Sequence, residues 1–521
     1  MNLLRAASTI SLLTLASRIT GLVREQLTAG LFGATGMTDA FLVAFRIPNL
    51  LRRLFAEGAF SQAFVPLLAA SRTTDGDQAT HDLVDAVATV LLWALVATSV
   101  LGIVAAPVLV WLLGSGLAPK SFDASVVMTR FMFPYIGCMS LVALSAGILN
   151  TWRRFVVPAA SPVLLNLSMI ACAWTLVGPL ERAGLPGIYG MAAGVMLGGV
   201  LQLAVQWPAL ARIGMRPRMR LTWRGFRESQ AHPGVKRMLI NMGPALLGVG
   251  VSQLSLMINT QISSNLGEGA TSWLNYADRL MEFPIGLLGV ALSAVLTPQL
   301  SSAQAANDTE RYSRLLDWGL RMVMLLALPC AVALLVFAEP LTAVLYHRGQ
   351  FKALDVAHTA QSVMGWGVGL LGLIAVKVLA PGFYARQDTG TPAKIAVAVL
   401  ILTQLFNLVF VPWIGVAGLA LSIGLGALVN ATWLLVGLKK LGSYRPEAGW
   451  LPFALRVAVG CAAMGLLQWQ LATRLDWIAL GQHELQRALW MAGSLAASAV
   501  VYFSVLLLVG MRPRALGRPS A

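Results

Sequence analysis

Apolar stretches of about 20 residues recur along the whole of this 521-residue chain, each long enough to cross roughly 30 Å of hydrocarbon. Fourteen are read here as membrane-spanning helices, over 8–31, 40–69, 84–113, 127–149, 156–179, 187–208, 238–266, 274–300, 318–345, 359–383, 391–413, 415–438, 450–472 and 486–510. With 57% hydrophobic and 12% charged residues, the composition excludes an ordinary soluble domain. The expected class is an all-α polytopic membrane protein. The first apolar stretch is too long for a cleavable signal peptide and carries arginines, so it is expected to remain as the first helix.

The net charge of +16 is distributed by loop. One alternating set holds Arg5, Arg72, Arg153, Arg154, the run Arg212–Arg237, Arg311, Arg314, Arg386, Lys394, Lys439, Lys440, Arg445, and Arg512, Arg514 and Arg518. The opposite set holds few, such as Lys120, Arg182, Arg348, Lys352 and Arg474. The positive-inside rule then places both termini in the cytoplasm, with an even number of spans. Arg212–Arg237 becomes a cytoplasmic basic segment facing lipid. No recognition motif accompanies the charge, so no nucleic-acid partner is expected. The four cysteines, Cys138, Cys172, Cys330 and Cys461, are dispersed in apolar spans and read as packing residues, with no metal-ligand spacing.

A weak internal repeat organises the chain. Val65-Pro66-Leu67 matches Thr297-Pro298-Gln299, Ala106-Pro107 matches Glu339-Pro340, Pro158 matches Pro392, and Gly187-Ile188-Tyr189-Gly190 matches Gly415-Val416-Ala417-Gly418. The offset is about 230 residues each time, a length that holds six spans. Six is even, so both copies enter the membrane in the same orientation. Two parallel six-helix lobes around a central cavity follow, with the substrate between the halves. The expected organisation is an N-lobe over 1–208, a basic cytoplasmic linker over 209–237, a C-lobe over 238–438, and two further helices with a basic tail over 439–521.

Charges inside these spans are the functional signal. An arginine within a bilayer costs on the order of 3 kcal/mol or more, so it usually faces a watery, protein-lined space. Arg18 and Arg24 interrupt the first span. Six residues apart on a helix, they lie about 120° apart around the axis and about 9 Å apart along it, so both can border one wide cavity. Glu25 can neutralise one of them. In the second span Asp39, Arg46 and Arg53 share a face, with Glu57 following Arg53 at i+4; these four can satisfy one another. Arg52 lies about 100° away with no such local acid and is the better candidate for a free guanidinium. Pro48 and Gly58 can loosen this helix. In the second repeat Arg279 is the counterpart, with Asp278 and Glu282 placed to hold it, and Lys377 is expected to be a further buried cation. The planar fork of arginine suits a diphosphate and stays charged at any physiological pH. The predicted substrate-binding set is therefore Arg18, Arg24, Arg52 and Arg279. Arg46 and Arg53 are expected to form structural ion pairs.

Enzyme chemistry lacks support. The five histidines are scattered and no Walker A, GxSxG or HExxH pattern is present. Without an ATP site, transport must run on a gradient, the membrane potential or substrate supply.

The stretch Thr38-Asp39-Ala40-Phe41-Leu42-Val43-Ala44-Phe45-Arg46-Ile47-Pro48-Asn49-Leu50-Leu51-Arg52-Arg53-Leu54-Phe55-Ala56-Glu57-Gly58-Ala59-Phe60 continues to Val65-Pro66. It resembles the signature of the MurJ (MviN) family of bacterial lipid II flippases. So do Ala277-Asp278-Arg279-Leu280-Met281-Glu282-Phe283-Pro284 and Val378-Leu379-Ala380-Pro381-Gly382-Phe383-Tyr384-Ala385-Arg386-Gln387-Asp388. The resemblance covers essentially the whole chain. It implies the multidrug/oligosaccharidyl-lipid/polysaccharide (MOP) exporter fold in the inner membrane, with the last two helices forming a groove for a polyprenyl tail. It carries essential cavity arginines onto Arg18, Arg24, Arg52 and Arg279, with Ser17, Asp39 and Glu57 at motif positions; the acidic ligands of the sodium site proposed in the second lobe of some members do not map onto this sequence, and no metal or cofactor is assigned. The implied substrate is lipid II, with an undecaprenyl-diphosphate-linked headgroup. A monomer is expected, with at most weak contacts to the cell-wall synthesis machinery. Two rivals stand beside this reading: a drug exporter or a flippase for another polyprenyl-linked glycan, and a membrane glycan polymerase or scaffold.

Overall fold

The computed structural model describes residues 3–53 and 60–511, and among them the chain is helical with no strand. The helices form two compact units, Met1–Gly269 and Ala270–Ala521.

The first unit begins with α1 (Leu3–Phe32), α2 (Gly36–Arg52) and α3 (Phe60–Thr74). Next come α4 (Gly76–Gly114), α5 (Pro119–Met132), α6 (Tyr135–Thr151), α7 (Val156–Arg182) and α8 (Tyr189–Arg212). A short α9 (Trp223–Gln230) and the long α10 (Pro233–Ser264) complete it. Helix α2 starts where Thr35 accepts a hydrogen bond from the Thr38 amide, and it runs through Pro48 without ending there. Helices α7 and α8 approach closely because α8 presents glycines. A Cβ on Gly194 would lie 2.6 Å from the Met169 Cα, and one on Gly198 would lie 3.0 Å from the Leu165 Cα. Small residues let backbones meet in lipid, where dispersion and hydrogen bonds replace the hydrophobic drive.

The second unit holds α11 (Ala270–Pro284), a π-helical turn (Ile285–Gly289) and α12 (Val290–Ala305). It continues through α13 (Thr309–Val336), α14 (Ala338–Tyr346), α15 (Ala353–Tyr384), α16 (Gly390–Ile414) and α17 (Val416–Lys440). The last pair is α18 (Trp450–Arg474) and α19 (Glu484–Leu508). Its tightest seam joins α15 to α17, where a Cβ on Gly369 would lie 2.0 Å from the Gly424 Cα. The last two helices belong to this unit by direct bonds. Tyr502 of α19 donates to the Leu325 carbonyl of α13 at 2.6 Å, and the buried Arg487 donates to the His347 carbonyl at 3.0 Å.

Eleven helical segments among the described residues are long and apolar enough to span a bilayer. The other three expected spans, 8–31, 40–69 and 238–266, coincide with α1, with the α2–α3 region and with α10. Helices α2 and α3 have 17 and 15 residues, each too short to cross alone. Packing also sets α10 with the first unit, whereas the repeat alone would begin the second half at 238.

Candidate functional site: arginines held inside helical spans

In the first unit the charged centre is built on α1 and α7. Arg24 projects from α1, and its Nη1 donates to Asn166 Oδ1 of α7 at 2.9 Å. Its Nη2 donates to Glu25 Oε1 at 2.5 Å. The same Asn166 donates through Nδ2 to the Ser17 carbonyl at 3.0 Å and to Thr20 Oγ1 at 3.2 Å. One amide side chain thus reads both α1 backbone and the guanidinium. Gly21 leaves the room: a Cβ there would sit 3.5 Å from Asn166 Nδ2. The Arg24 side chain is 12% exposed and that of Glu25 10%, so the pair is largely out of water and aimed by α7. Charge-assisted bonds of this kind hold a fork in one orientation, which is what recognition of a planar or tetrahedral anion needs.

Arg18 lies one to two turns earlier on α1, is exposed, and has no hydrogen-bond or ion-pair partner among the described residues. It offers a fully available guanidinium. Ser17 enters the network through its carbonyl, which also accepts from Thr20 Oγ1 at 3.1 Å. Asp39 is buried and accepts the Gly269 amide at 2.7 Å. The side chain of Arg52 and the whole of Glu57 lie outside the described residues. Arg46 is partly buried and has a partner.

The second unit carries Arg279 on α11. Its Nη1 donates to Glu282 Oε2 at 2.8 Å, the i+3 partner expected from spacing. The two side chains are 35% and 44% exposed. Asp278 is half-buried and also has a partner. Immediately after this pair the helix widens into the π-helical turn Ile285–Gly289, behind Pro284. Such turns re-aim side chains and recur at functional sites. Lys377 of α15 passes over that turn: a Cβ on Gly289 would lie 3.2 Å from Lys377 Cγ. Lys377 is exposed, which corrects the expectation of a buried cation. Its stem rests against a glycine of the neighbouring turn.

Three polar groups have no counterpart in the sequence-based expectation. Asn166 is one; its signal is a lone amide in an otherwise apolar span. Arg487 is another, the fourth residue of α19. The third is Asp317 of α13, with its side chain 1% exposed. It accepts from Trp450 Nε1 at 2.7 Å, Tyr444 Oη at 2.9 Å and the Glu447 amide at 3.2 Å, and it pairs with Arg321 at 2.7 Å. Arg321 in turn covers the Trp450 ring at 5.2 Å. This cluster ties the 441–449 connection, and through it α18, to α13. Burial, followed by the Asp317 charge, pushes the Tyr444 hydroxyl far above its ordinary pKa, so it stays a donor.

Comparison with known proteins gives a consistent family assignment. The family described as "Lipid II flippase MurJ" matches residues 28–483. The lipid II flippase MurJ of Burkholderia cenocepacia is 52% identical over 517 residues, covering 98% of both chains. The probable lipid II flippase MurJ of Vibrio cholerae is 38% identical over 520 residues, covering 98% of this chain and 97% of its own. Among solved structures, "Lipid II flippase MurJ, inward closed conformation" superposes with a TM-score of 0.78 at 22% identity, covering 96% of this chain and 99% of that one. An inward-facing multidrug resistance MATE family transporter of the MOP superfamily follows the same fold, with a TM-score of 0.65 at 15% identity, covering 82% and 95%.

Proposed function

The chain belongs to the MurJ family of membrane transporters, and from that premise we propose that it flips lipid II from the cytoplasmic to the periplasmic leaflet of the bacterial inner membrane. It is a transporter and not an enzyme. The proposed cycle is alternating access. Arg18, Arg24, Arg52 and Arg279 bind the headgroup diphosphate, the polyprenyl tail stays in lipid beside α18 and α19, and both termini lie in the cytoplasm.

The observation that carries this reading is Arg24. A guanidinium largely removed from water is fixed by Asn166 from a second helix, and among the described residues Glu25 is the one carboxylate paired with it. A structural ion pair does not need an amide from α7 to orient it; an anion receptor does. Arg18 on the same helix adds a charge with no ion-pair partner among the described residues. A bound diphosphate would offset these charges and lower the cost of closing lipid-facing helices around them. The membrane potential supplies part of the drive: moving one uncompensated negative charge out of a negative interior gains about 2.3 kcal/mol per 100 mV.

The test is lipid II exposure on the outer face of the inner membrane in cells whose only flippase is this protein or its Arg52→Ala form. Exposure with the unaltered protein and its loss in the variant support both substrate and cationic site. No exposure with either form, at equal abundance, would shift the substrate to another polyprenyl-linked glycan.

A further inference from the structure

One end of the second unit holds a buried arginine that is paired with no carboxylate among the described residues. Arg487 of α19 is 1% exposed. Its Nη2 donates to the His347 carbonyl at 3.0 Å, and its Nη1 faces His347 Nδ1 at 3.5 Å. His347 follows the last residue of α14, where carbonyls lack intrahelical donors, so a guanidinium there meets both an acceptor and the negative end of the helix dipole. Glu484, one turn earlier on α19, is paired with Arg348 at 3.3 Å instead.

Arginine only donates, so the Nη1 contact requires a neutral imidazole with its lone pair on Nδ1. The site favours that state: burial, then the charges of Arg487 and Lys352, hold the His347 pKa below its ordinary value. The 3₁₀ turn Ala479–Gln482 closes over the pair. A Cβ on Gly481 would lie 3.0 Å from Arg487 Nη1 and 3.1 Å from His347 Nδ1. The charges around the ring are Arg487 and Glu484 from α19, with Arg348 and Lys352 from the connection to α15. Asp476, just before the 3₁₀ turn, is committed to the Ile478 and Ala479 amides at 3.0 and 2.9 Å. His483 is exposed, and its carbonyl accepts the Arg487 amide at 2.9 Å. Protonation of His347 would set a second cation beside a buried guanidinium, with one carboxylate among four positive groups. Like charges so close and so poorly hydrated repel.

The other attachments of this region do not depend on that ring. Trp477, 3% exposed, meets the buried Phe337 edge-on at 5.4 Å, and Tyr502 holds α19 to the Leu325 carbonyl further along the helix. Loss of the histidine contact therefore frees the start of α19 and the 3₁₀ turn while the helix stays in place.

We propose that His347 and Arg487 form an acid-released clamp: neutral His347 holds the start of α19 against α14, and protonation from the periplasm lets it go. The periplasmic placement rests on the topology proposed above, because residues 347–352 and 474–483 belong to the loop set poor in Lys and Arg. Since the released ring has the ordinary pKa, the clamp is whole above about pH 6.5 and weakens as the pH falls below that. The last two helices, beside which the substrate's tail is proposed to lie, thereby acquire a response to acidity outside the membrane.

The test is amide hydrogen exchange over residues 480–487 in lipid nanodiscs at about pH 7.5 and about pH 5, corrected for the intrinsic pH dependence of exchange. Protection in the unaltered protein is expected to fall severalfold at the lower pH. His347→Gln, which keeps an acceptor but cannot ionise, is expected to change little, with Asp476, His483 and Glu484 all still present. Arg487→Gln is expected to be poorly protected at both values. No response to acid in the unaltered protein, or a loss of the same size in His347→Gln, would overturn the clamp. Nanodiscs open both faces, so sidedness is read separately. With Cys138, Cys172, Cys330 and Cys461 replaced by alanine, Gln350→Cys, at an exposed position, is expected to react with a membrane-impermeant maleimide in intact cells. Reaction only after the cells are opened would overturn the periplasmic assignment and the topology behind it, while the clamp measured in nanodiscs would stand.

Discussion

Arg24 and Arg279 each sit beside a carboxylate within a helical span, yet they are held in different ways. Arg24 is tied across helices, to Asn166 of α7 as well as to the adjacent Glu25, and is 12% exposed. Arg279 pairs with Glu282 one turn on in α11, has a further partner besides, and is 35% exposed. A local pair this accessible is worth about 0–1 kcal/mol in water and re-forms easily. The first unit therefore presents a cation whose direction is set before any ligand arrives. The second presents a more exposed one, next to a π-helical turn that can change its helix's phase. Fixed orientation favours recognition, and a place beside a π-helical turn favours motion.

The comparison breaks first under truncation. Arg24→Ala and Arg279→Ala are each expected to abolish lipid II exposure in cells lacking another flippase, with normal membrane abundance. Exposure retained by either variant would remove that arginine from the binding set. The second unit keeps its deeply buried carboxylate for another purpose, anchoring α18. Asp317→Ala strands Arg321 and leaves three donors unmet, an expected loss of about 3–5 kcal/mol that thermal unfolding in detergent would register. An unchanged melting temperature would mean that the 441–449 connection is not held by this cluster.

Conservative changes sharpen the contrast. Lysine cannot reach Asn166 and Glu25 together with a planar fork, whereas it replaces a guanidinium more readily at the more exposed Arg279. Arg24→Lys is expected to cut the exposure rate about tenfold, the scale of one charge-assisted bond, and Arg279→Lys to cost less. Equal losses would erase the distinction drawn between the two. The smallest effect concerns pH. Burial, then the charges of Arg487 and Lys352, hold the His347 pKa below its ordinary value. A depressed pKa in the folded chain means that neutral His347 is favoured by folding, so its contribution is complete above about pH 6.5 and is lost as the pH falls below that. Thermal stability should therefore decline between about pH 6.5 and pH 5 more in the unaltered protein than in His347→Gln. Parallel declines would show that His347 is not the group responsible.

Sequence reading went far where the signal is local. Long apolar runs identify helices because a bilayer demands about 20 residues of them, and the i+3 spacing of Arg279 and Glu282 placed that ion pair correctly. The MurJ signature carried the family. What stayed hidden depends on partners distant in the chain. Asn166 lies 142 residues from Arg24, and a single asparagine in an apolar run is ordinary until α7 turns it toward α1. Asp317 meets Trp450 across 133 residues, with no periodicity to announce it. Lys377 was misread because a charge within an apolar span was assumed to be enclosed, and it is exposed. The membership of α10 in the first unit follows from Asp39, Glu268 and Gln261 meeting turns far away in sequence, which a repeat offset does not encode.

The central claim is that pre-aimed arginines bind the headgroup diphosphate, and the direct measurement is lipid II affinity of the purified protein in lipid nanodiscs, compared with Arg24→Ala and Asn166→Leu. The account predicts that Arg24→Ala loses at least about tenfold in affinity and that Asn166→Leu, which keeps the charge but removes its aim, loses a substantial part of that. Affinity unchanged in Arg24→Ala would contradict the account.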